Sequence, residues 1–297
     1  MIDFVHQPDV AYGSVEVLSP LVRRVTARNP GPFTYTGTGV FIIGHGEVAV
    51  IDPGPLLPEH EAALDAALAG ERVTHVLVTH HHMDHSPLAH PLARKHGCQV
   101  HAMSPRPLTA PEAEVRLEAG DDAGFRPDRE VAGGDVFTGP GWTLTALHTP
   151  GHTSNHVCFG LAEENTLFSG DHVMGWSTSV ISPPDGHMGD YLASLELVRD
   201  AQFDRIRPTH GPAIERPRSF LSAYIGHRKA RERQIIEHLS GGPRHIRELV
   251  AAMYAHVDKR LHPAAAHSVL AHLIHLIELG QVRCDGAPGL DKEYALA

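Results

Sequence analysis

Apolar residues recur along this chain in two periods, and the changes of period mark its elements. Residues 15–25 alternate loosely at period two. Two apolar runs, Val40 to Ile43 and Val48 to Ile51, flank Gly44, His45 and Gly46. These patterns predict strands, the last two forming a hairpin that ends at Asp52, Pro53 and Gly54. Residues 59–69 change to helical spacing and stop at Gly70. Residues 73–79 read as a strand again. Ser86 and Pro87 predict an N-cap and first helical position, and Gly97 closes that helix after His96. Residues 142–147, 157–161 and 166–168 predict short strands, and Asp190 predicts the cap of a helix running to about Ala201. The stretch 105–135, rich in Pro, Gly and acids, predicts an excursion over the surface. Strands, helices and hairpins mixed in this order predict an α+β chain, with two sheets face to face and helices outside.

Beyond residue 220 the pattern changes. Residues 220–238, 245–255 and 263–279 predict three helices. Gln281 to Cys284, the turn at Asp285 and Gly286, and the run to Tyr294 predict a small β-wing. Three helices and a wing predict a winged-helix-like module, a fold that serves nucleic acids, proteins or dimer contacts. Charge supports a boundary here. From Leu221 onward there are 10 Lys and Arg against 8 Asp and Glu, whereas residues 1–220 hold 15 against 27. The expected units are therefore 1–219 and 220–297. A catalytic region this acidic speaks against general coating of nucleic acid, since that binding rests on phosphate contacts. Arg228, Lys229, Arg231 and Arg233 form a basic patch that a solvated helix face explains nearly as well. No apolar run approaches the roughly 18 residues of a membrane span, and the first residues lack a secretory pattern. Three scattered cysteines, Cys98, Cys158 and Cys284, read as reduced thiols of a cytoplasmic protein.

The candidate chemistry sits at the end of the 73–79 strand. His80, His82, Asp84 and His85 fall within six residues. On an extended segment, side chains two apart point the same way, so His80 and His82 can hold one ion while His81 faces away. Asp84 and His85, across a turn, can reach a second. Two ions about 3.5–4 Å apart can share and activate one water. With 25 His in the chain, one cluster is weak evidence alone. Three later turns strengthen it: Thr149 to Thr153 with His152, Phe168 to Asp171, and Pro208 to Gly211 with His210. Each follows a short apolar run and carries one ligand type. Asp52, ending a strand before Pro-Gly, reads as a carboxylate partner for a ligand imidazole. His148 reads as structural, and His156 and His187 as surface residues or groups near substrate. His75, His90, His96, His101 and the eight His beyond residue 220 read as solvated or partly buried. Met174, Trp176 and Tyr191 read by default as core.

THHHMDH at 79–85, HTPGHT at 148–153, SGDH at 169–172 and THG at 209–211 resemble the four ligand motifs of the metallo-β-lactamase superfamily. The resemblance covers about the first 215 residues and implies an αββα sandwich. It implies that His80, His82 and His152 hold one metal, that Asp84, His85 and His210 hold the other, and that Asp171 bridges both. Asp84 and Asp171 would be the catalytic carboxylates. Ligands of this kind favour two Zn²⁺, with Mn²⁺ or Fe as alternatives. The stretch 170–195 and the winged-helix-like tail resemble the β-lactamase-like protein 2 branch, whose characterised members include single-strand endoribonucleases.

The implied activity is a dinuclear hydrolase using activated hydroxide, with single-stranded RNA as the first substrate class. The alternative is a thioesterase or other acyl or lactone hydrolase, glyoxalase II included. An iron-dependent persulfide dioxygenase and a non-enzymatic nucleic-acid-binding regulator rank below these. A bridging Asp171 disfavours a true β-lactamase. The 38 residues between Asp171 and His210 are too few for the inserted domain of the large RNA-processing nucleases. A winged-helix tail also fits a homodimer.

Overall fold

A computed structural model describes residues 2–6, 9–106, 120–255 and 257–297. The middle of the 105–135 excursion, residues 107–119, lies outside them, as does His256.

Seven strands form the first sheet, in the order β1 (Val15–Val17), β2 (Val22–Thr26), β3 (Gly39–Ile43), β4 (Glu47–Ile51), β5 (Arg72–Leu77), β6 (Gln99–Ala102) and β7 (Arg129–Glu130). Pairing is antiparallel from β1 to β4 and parallel from β4 to β7. Parallel neighbours need crossovers, and α1 (Pro58–Ala67) and α2 (Ala89–His96) supply the first two. The second sheet has five strands, β12-β11-β10-β9-β8. These are β8 (Val136–Gly139), β9 (Trp142–His148), β10 (Val157–Leu161), β11 (Thr166–Phe168) and β12 (Arg205–Arg207), with α3 (Met188–Asp200) crossing from β11 to β12.

Strand alternation explains the layers. In β3, Val40 and Ile42 face the α1 and α2 side, while Phe41 and Ile43 face the second sheet. In β4, Val48 and Val50 divide from Ala49 and Ile51 in the same way. Both faces of the first sheet are thus covered, which is why these strands read as unbroken apolar runs. Between the sheets, Phe41 and Phe168 meet with ring centroids 4.9 Å apart. Trp142 is 1 % exposed, and its Nε1 donates to Glu47 O at 2.9 Å. Trp142→Ala would cost about 3–5 kcal/mol by leaving a cavity in this layer. The order is helix, sheet, sheet, helix, as the motifs implied.

The outer helices of the second sheet are α3 and the first half of α4 (Pro217–Ser240). Phe220, Leu221, Tyr224 and Ile225 of α4 join the core beneath that sheet, whereas Ile235 and Leu239 join a separate C-terminal core. That second core is closed by α5 (Ile246–Met253), α6 (His262–Glu278) and a three-stranded sheet, β13-β15-β14. The strands are β13 (Arg244–His245), β14 (Val282–Cys284) and β15 (Glu293–Leu296). Helix α5 begins with a capping box in which the Glu248 carboxylate accepts from His245 N.

Two predicted caps differ from the structure. Helix α3 starts at Met188, and its N-cap is His187, whose Nδ1 accepts from Asp190 N. An imidazole with a bare nitrogen does what the Asp190 carboxylate was expected to do. Helix α2 starts at Ala89, and Ser86 Oγ instead donates to Asp122 Oδ2 at 2.9 Å.

Candidate metal centre

Every predicted ligand lies just past the C-terminal end of a strand. β5 leads to residues 79–85, β9 to 149–152, β11 to 169–171 and β12 to 209–210. These ends gather at one edge of the sandwich because both sheets run their central strands toward it. Two glycines permit the approach. Gly151 has φ +133°, and a Cβ there would lie 2.3 Å from the Tyr191 backbone. Gly170 has φ +51°, and a Cβ there would lie 2.7 Å from both His156 Nε2 and Thr79 Oγ1.

The tautomers follow from the outer hydrogen bonds. Asp52 is fully buried and accepts from Thr79 N at 2.7 Å and from Thr79 Oγ1 at 2.8 Å. The Thr79 hydroxyl proton is thereby used, so its oxygen accepts from His80 Nδ1 at 3.0 Å. His80 Nε2 is left with its lone pair facing inward. His85 Nδ1 donates to Asp52 Oδ2 at 2.9 Å, His152 Nδ1 to Val180 O at 2.7 Å and His210 Nδ1 to Gly37 O at 3.1 Å. All three turn Nε2 into the site. His82 is reversed. Its Nε2 lies 3.4 Å from Asp121 Oδ1, and its Nδ1 lies 2.9 Å from His80 Nε2 and 3.3 Å from His152 Nε2.

Three groups of potential ligand atoms result, each within 4.8 Å: His80, His82 and His152; His80, His85 and Asp171; and Asp84, His85 and His210. Asp171 lies between the halves. Its Oδ2 is 3.4 Å from His210 Nε2 and 4.0 Å from His152 Nε2, and its Oδ1 is 3.6 Å from His85 Nε2. His85 Nε2, His210 Nε2 and Asp171 Oδ1 are buried without a well-formed hydrogen bond. Converging donors, the imidazoles each braced from behind by a hydroxyl, carboxylate or carbonyl, are what a metal ion requires. The residues present therefore fit a metal.

Burial and charge split these groups. Burial, then the neighbouring His85, His82 and His152, hold His80 well below the ordinary imidazole range. Burial also lowers His152. Burial works against the protonated form of His210 too, but Asp171 and Asp84 outweigh it and push the pKa up to about 10. His85 is likewise raised against its burial, by Asp84, Asp171 and Asp52. Asp84 is held down to about 2, because His85 and His210 overcome the opposing effect of burial.

The other named residues take definite places. Asp52 braces His85 and also accepts from Thr209 Oγ1 at 3.0 Å, tying the first ligand turn to the last. His81 points away, to Asn155 Oδ1 at 2.9 Å. His148 is exposed. His156 is fully buried rather than superficial: it accepts from Asp171 N at 3.2 Å and so helps to aim that carboxylate. His187 pairs with Glu278 of α6. His267 and His272 are buried beyond expectation, in the α4–α6 region. Met174 and Tyr191 are core, whereas Trp176 is half-buried and stacks on Tyr35 at 4.8 Å. Sequence reasoning missed Asp121, which stood inside the 105–135 excursion. Only its bridge to His82 across the chain reveals it.

A face-to-face sandwich carrying histidine and aspartate clusters at one edge defines the class. Residues 35–210 match the Metallo-beta-lactamase superfamily, and residues 246–291 match the Beta-lactamase associated winged helix domain. The chain belongs to the metallo-beta-lactamase superfamily and is a metal-dependent hydrolase. It is 33 % identical over 293 residues to the Beta-lactamase-like protein 2 homolog of Drosophila melanogaster, covering 95 % of each chain. It is 31 % identical to the Atrochrysone carboxyl ACP thioesterase of Aspergillus terreus over 85 % of this chain and 78 % of that one. A Beta-lactamase domain protein from Burkholderia ambifaria shares the fold with a TM-score of 0.80 at 20 % identity, covering all of this chain and 97 % of that one. Among the described residues no helix is long and apolar enough to cross a membrane.

Proposed function

We propose that this chain is a dinuclear hydrolase of acyl thioesters, with the catalytic unit at 1–219 and the winged-helix-like unit at 220–297. The observation that carries the dinuclear reading is the shared position of Asp171 between two groups of inward-facing donors. His80, His82 and His152 would hold one ion, Asp84, His85 and His210 the other, and Asp171 both. Imidazole-rich ligands suit Zn²⁺, with Mn²⁺ or Fe as alternatives. When bound, such ions make water acidic enough to ionise near neutral pH and polarise the bond to be broken. Asp84 and Asp171, the only carboxylates in these groups, would orient the attacking water by accepting hydrogen bonds from it, and the braced imidazoles keep the donors in place.

The thioester reading rests on the thioesterase-named relatives and on the net acidity of residues 1–220, which suits RNA poorly. Single-stranded RNA is the second reading, favoured by the near full-length similarity to the Drosophila protein and the branch it represents. Three unpaired thiols fit a reducing compartment such as the cytoplasm. The test is a panel of acyl thioesters beside an unstructured RNA, with and without chelator. Chelator-sensitive thioester turnover is expected, and RNA cleavage without thioester turnover would reverse the order of the two readings.

A further inference from the structure

A ligand imidazole is aimed by whatever holds its outer nitrogen, so His152 depends on the Val180 carbonyl. Val180 belongs to irregular backbone between β11 and α3, where no strand ladder holds it. Side chains of α4 do so instead. Tyr224 Oη accepts from Ser179 N at 2.6 Å and donates to Ser177 O at 3.0 Å. One helical turn on, the Arg228 guanidinium donates to Ser179 O. Both backbone polar groups of the residue preceding Val180 therefore end on α4. The same loop is fixed further back, where Tyr191 Oη and Ser179 Oγ both donate to His172 O, at 2.7 and 3.0 Å.

Arg228 is 3 % exposed and lies over the rings of Tyr191 and Tyr224, 5.3 and 5.8 Å from their centroids. Burying a guanidinium against a neutral carbonyl and two aromatic faces is a costly way to pack a helix. An apolar side chain would fill the space without that cost, but it would leave the Ser179 carbonyl without this donor. Helix α6 adds to the attachment. His267 Nδ1 lies 3.1 Å from Ser182 Oγ, and Glu278 holds His187, whose backbone N donates to Gly151 O at 2.8 Å. The turn carrying His152 is thus tied from both sides to helices that build the C-terminal core.

We propose that Tyr224 and Arg228 are positioning residues for His152, so that the helix shared with the C-terminal domain sets the metal affinity of the three-histidine half of the centre. This rests on the reading of His152 as a ligand. A ring held at one remove responds as an outer-shell partner does, at the lower end of that range, about tenfold in affinity.

The experiment is stepwise chelator competition for Zn²⁺ on the full chain, with thermal stability measured alongside. His152→Ala identifies the three-histidine step as the one it abolishes. Tyr224→Phe keeps the ring and removes both hydroxyl hydrogen bonds; Arg228→Ala removes the guanidinium, and Arg228→Lys keeps its charge. In Tyr224→Phe and Arg228→Ala the three-histidine step should weaken about tenfold while the other step stays unchanged, with partial recovery in Arg228→Lys. Two unchanged steps in Tyr224→Phe and Arg228→Ala would overturn the proposal. So would two steps that weaken together as stability falls, the mark of general loosening. If His152→Ala left both steps intact, the ligand reading would fail, and the proposal with it.

Discussion

The two halves of the centre are built from neighbouring residues yet hold their imidazoles in different protonation states. His80, His82 and His152 form a group of imidazoles alone, with the Asp121 carboxylate behind His82, and burial favours the neutral form of His80 and His152. Asp84, His85 and His210 are equally buried, but there the carboxylates keep protons on the imidazoles. An ion entering the first half meets His80 and His152 in their neutral forms. An ion entering the second must displace protons, and its binding is linked to pH. Four residues of sequence separate the extremes, so the electrostatics are set by which loops converge and not by local composition.

The largest effect should come from the residue common to both halves. Asp171→Asn is expected to weaken both metal steps and to lower turnover on the order of 10³-fold, since metal polarisation contributes several kcal/mol. His82→Ala should abolish only the three-histidine step in chelator competition. A loss of both steps in His82→Ala would erase the distinction between the halves. Next in size is Asp52→Asn, which leaves His85 Nδ1 with a weaker acceptor. It should cost about 10–100-fold in affinity at the carboxylate half and less at the other, where Asp52 acts on His80 only through the Thr79 hydroxyl. Smaller again is the effect of lowering pH from about 8 to 6 on the wild-type chain. The carboxylate half should lose affinity more steeply, because His210 holds its proton up to about pH 10 when no metal is bound.

The smallest effect concerns the metal-free fold. The pKa of His210 is raised from 6.5 to about 10, so its contribution to stability is complete below pH 6.5 and is lost as pH rises through about 10. The pKa of Asp84 is lowered from 3.8 to about 2, so its contribution is complete above pH 3.8 and is lost as pH falls through about 2. Burial keeps His80 and His152 neutral, a contribution lost as pH falls below 6.5, so thermal melts of chelator-stripped protein should peak near pH 6.5. A melting temperature still rising toward pH 9 would mean that the second half is not protonated as described.

The ligand turns could be read in the sequence because each follows a short apolar strand and because alternation separates His80 and His82 from His81. The αββα order was legible for the same reason: runs such as Val40 to Ile43 are apolar on both faces. Asp52 was legible as a brace because it ends the strand preceding a turn. What escaped depends on contacts between distant loops. Asp121 meets His82 only through a bridge across the fold, and His156 lies buried between the Asp171 backbone and the Thr149 hydroxyl. The α3 cap passed from Asp190 to His187 because that imidazole nitrogen was free to accept. Helix α4 joins two cores, a double use that its amphipathic pattern does not show.

The most direct test of two unlike metal sites is calorimetric titration of Zn²⁺ into the chelator-stripped chain at neutral pH, repeated in buffers of different ionisation enthalpy. Two ions should bind, and the step that Asp52→Asn weakens more should release clearly more protons than the step that His82→Ala abolishes. A single bound ion, or equal proton release at both steps, would contradict two unlike sites.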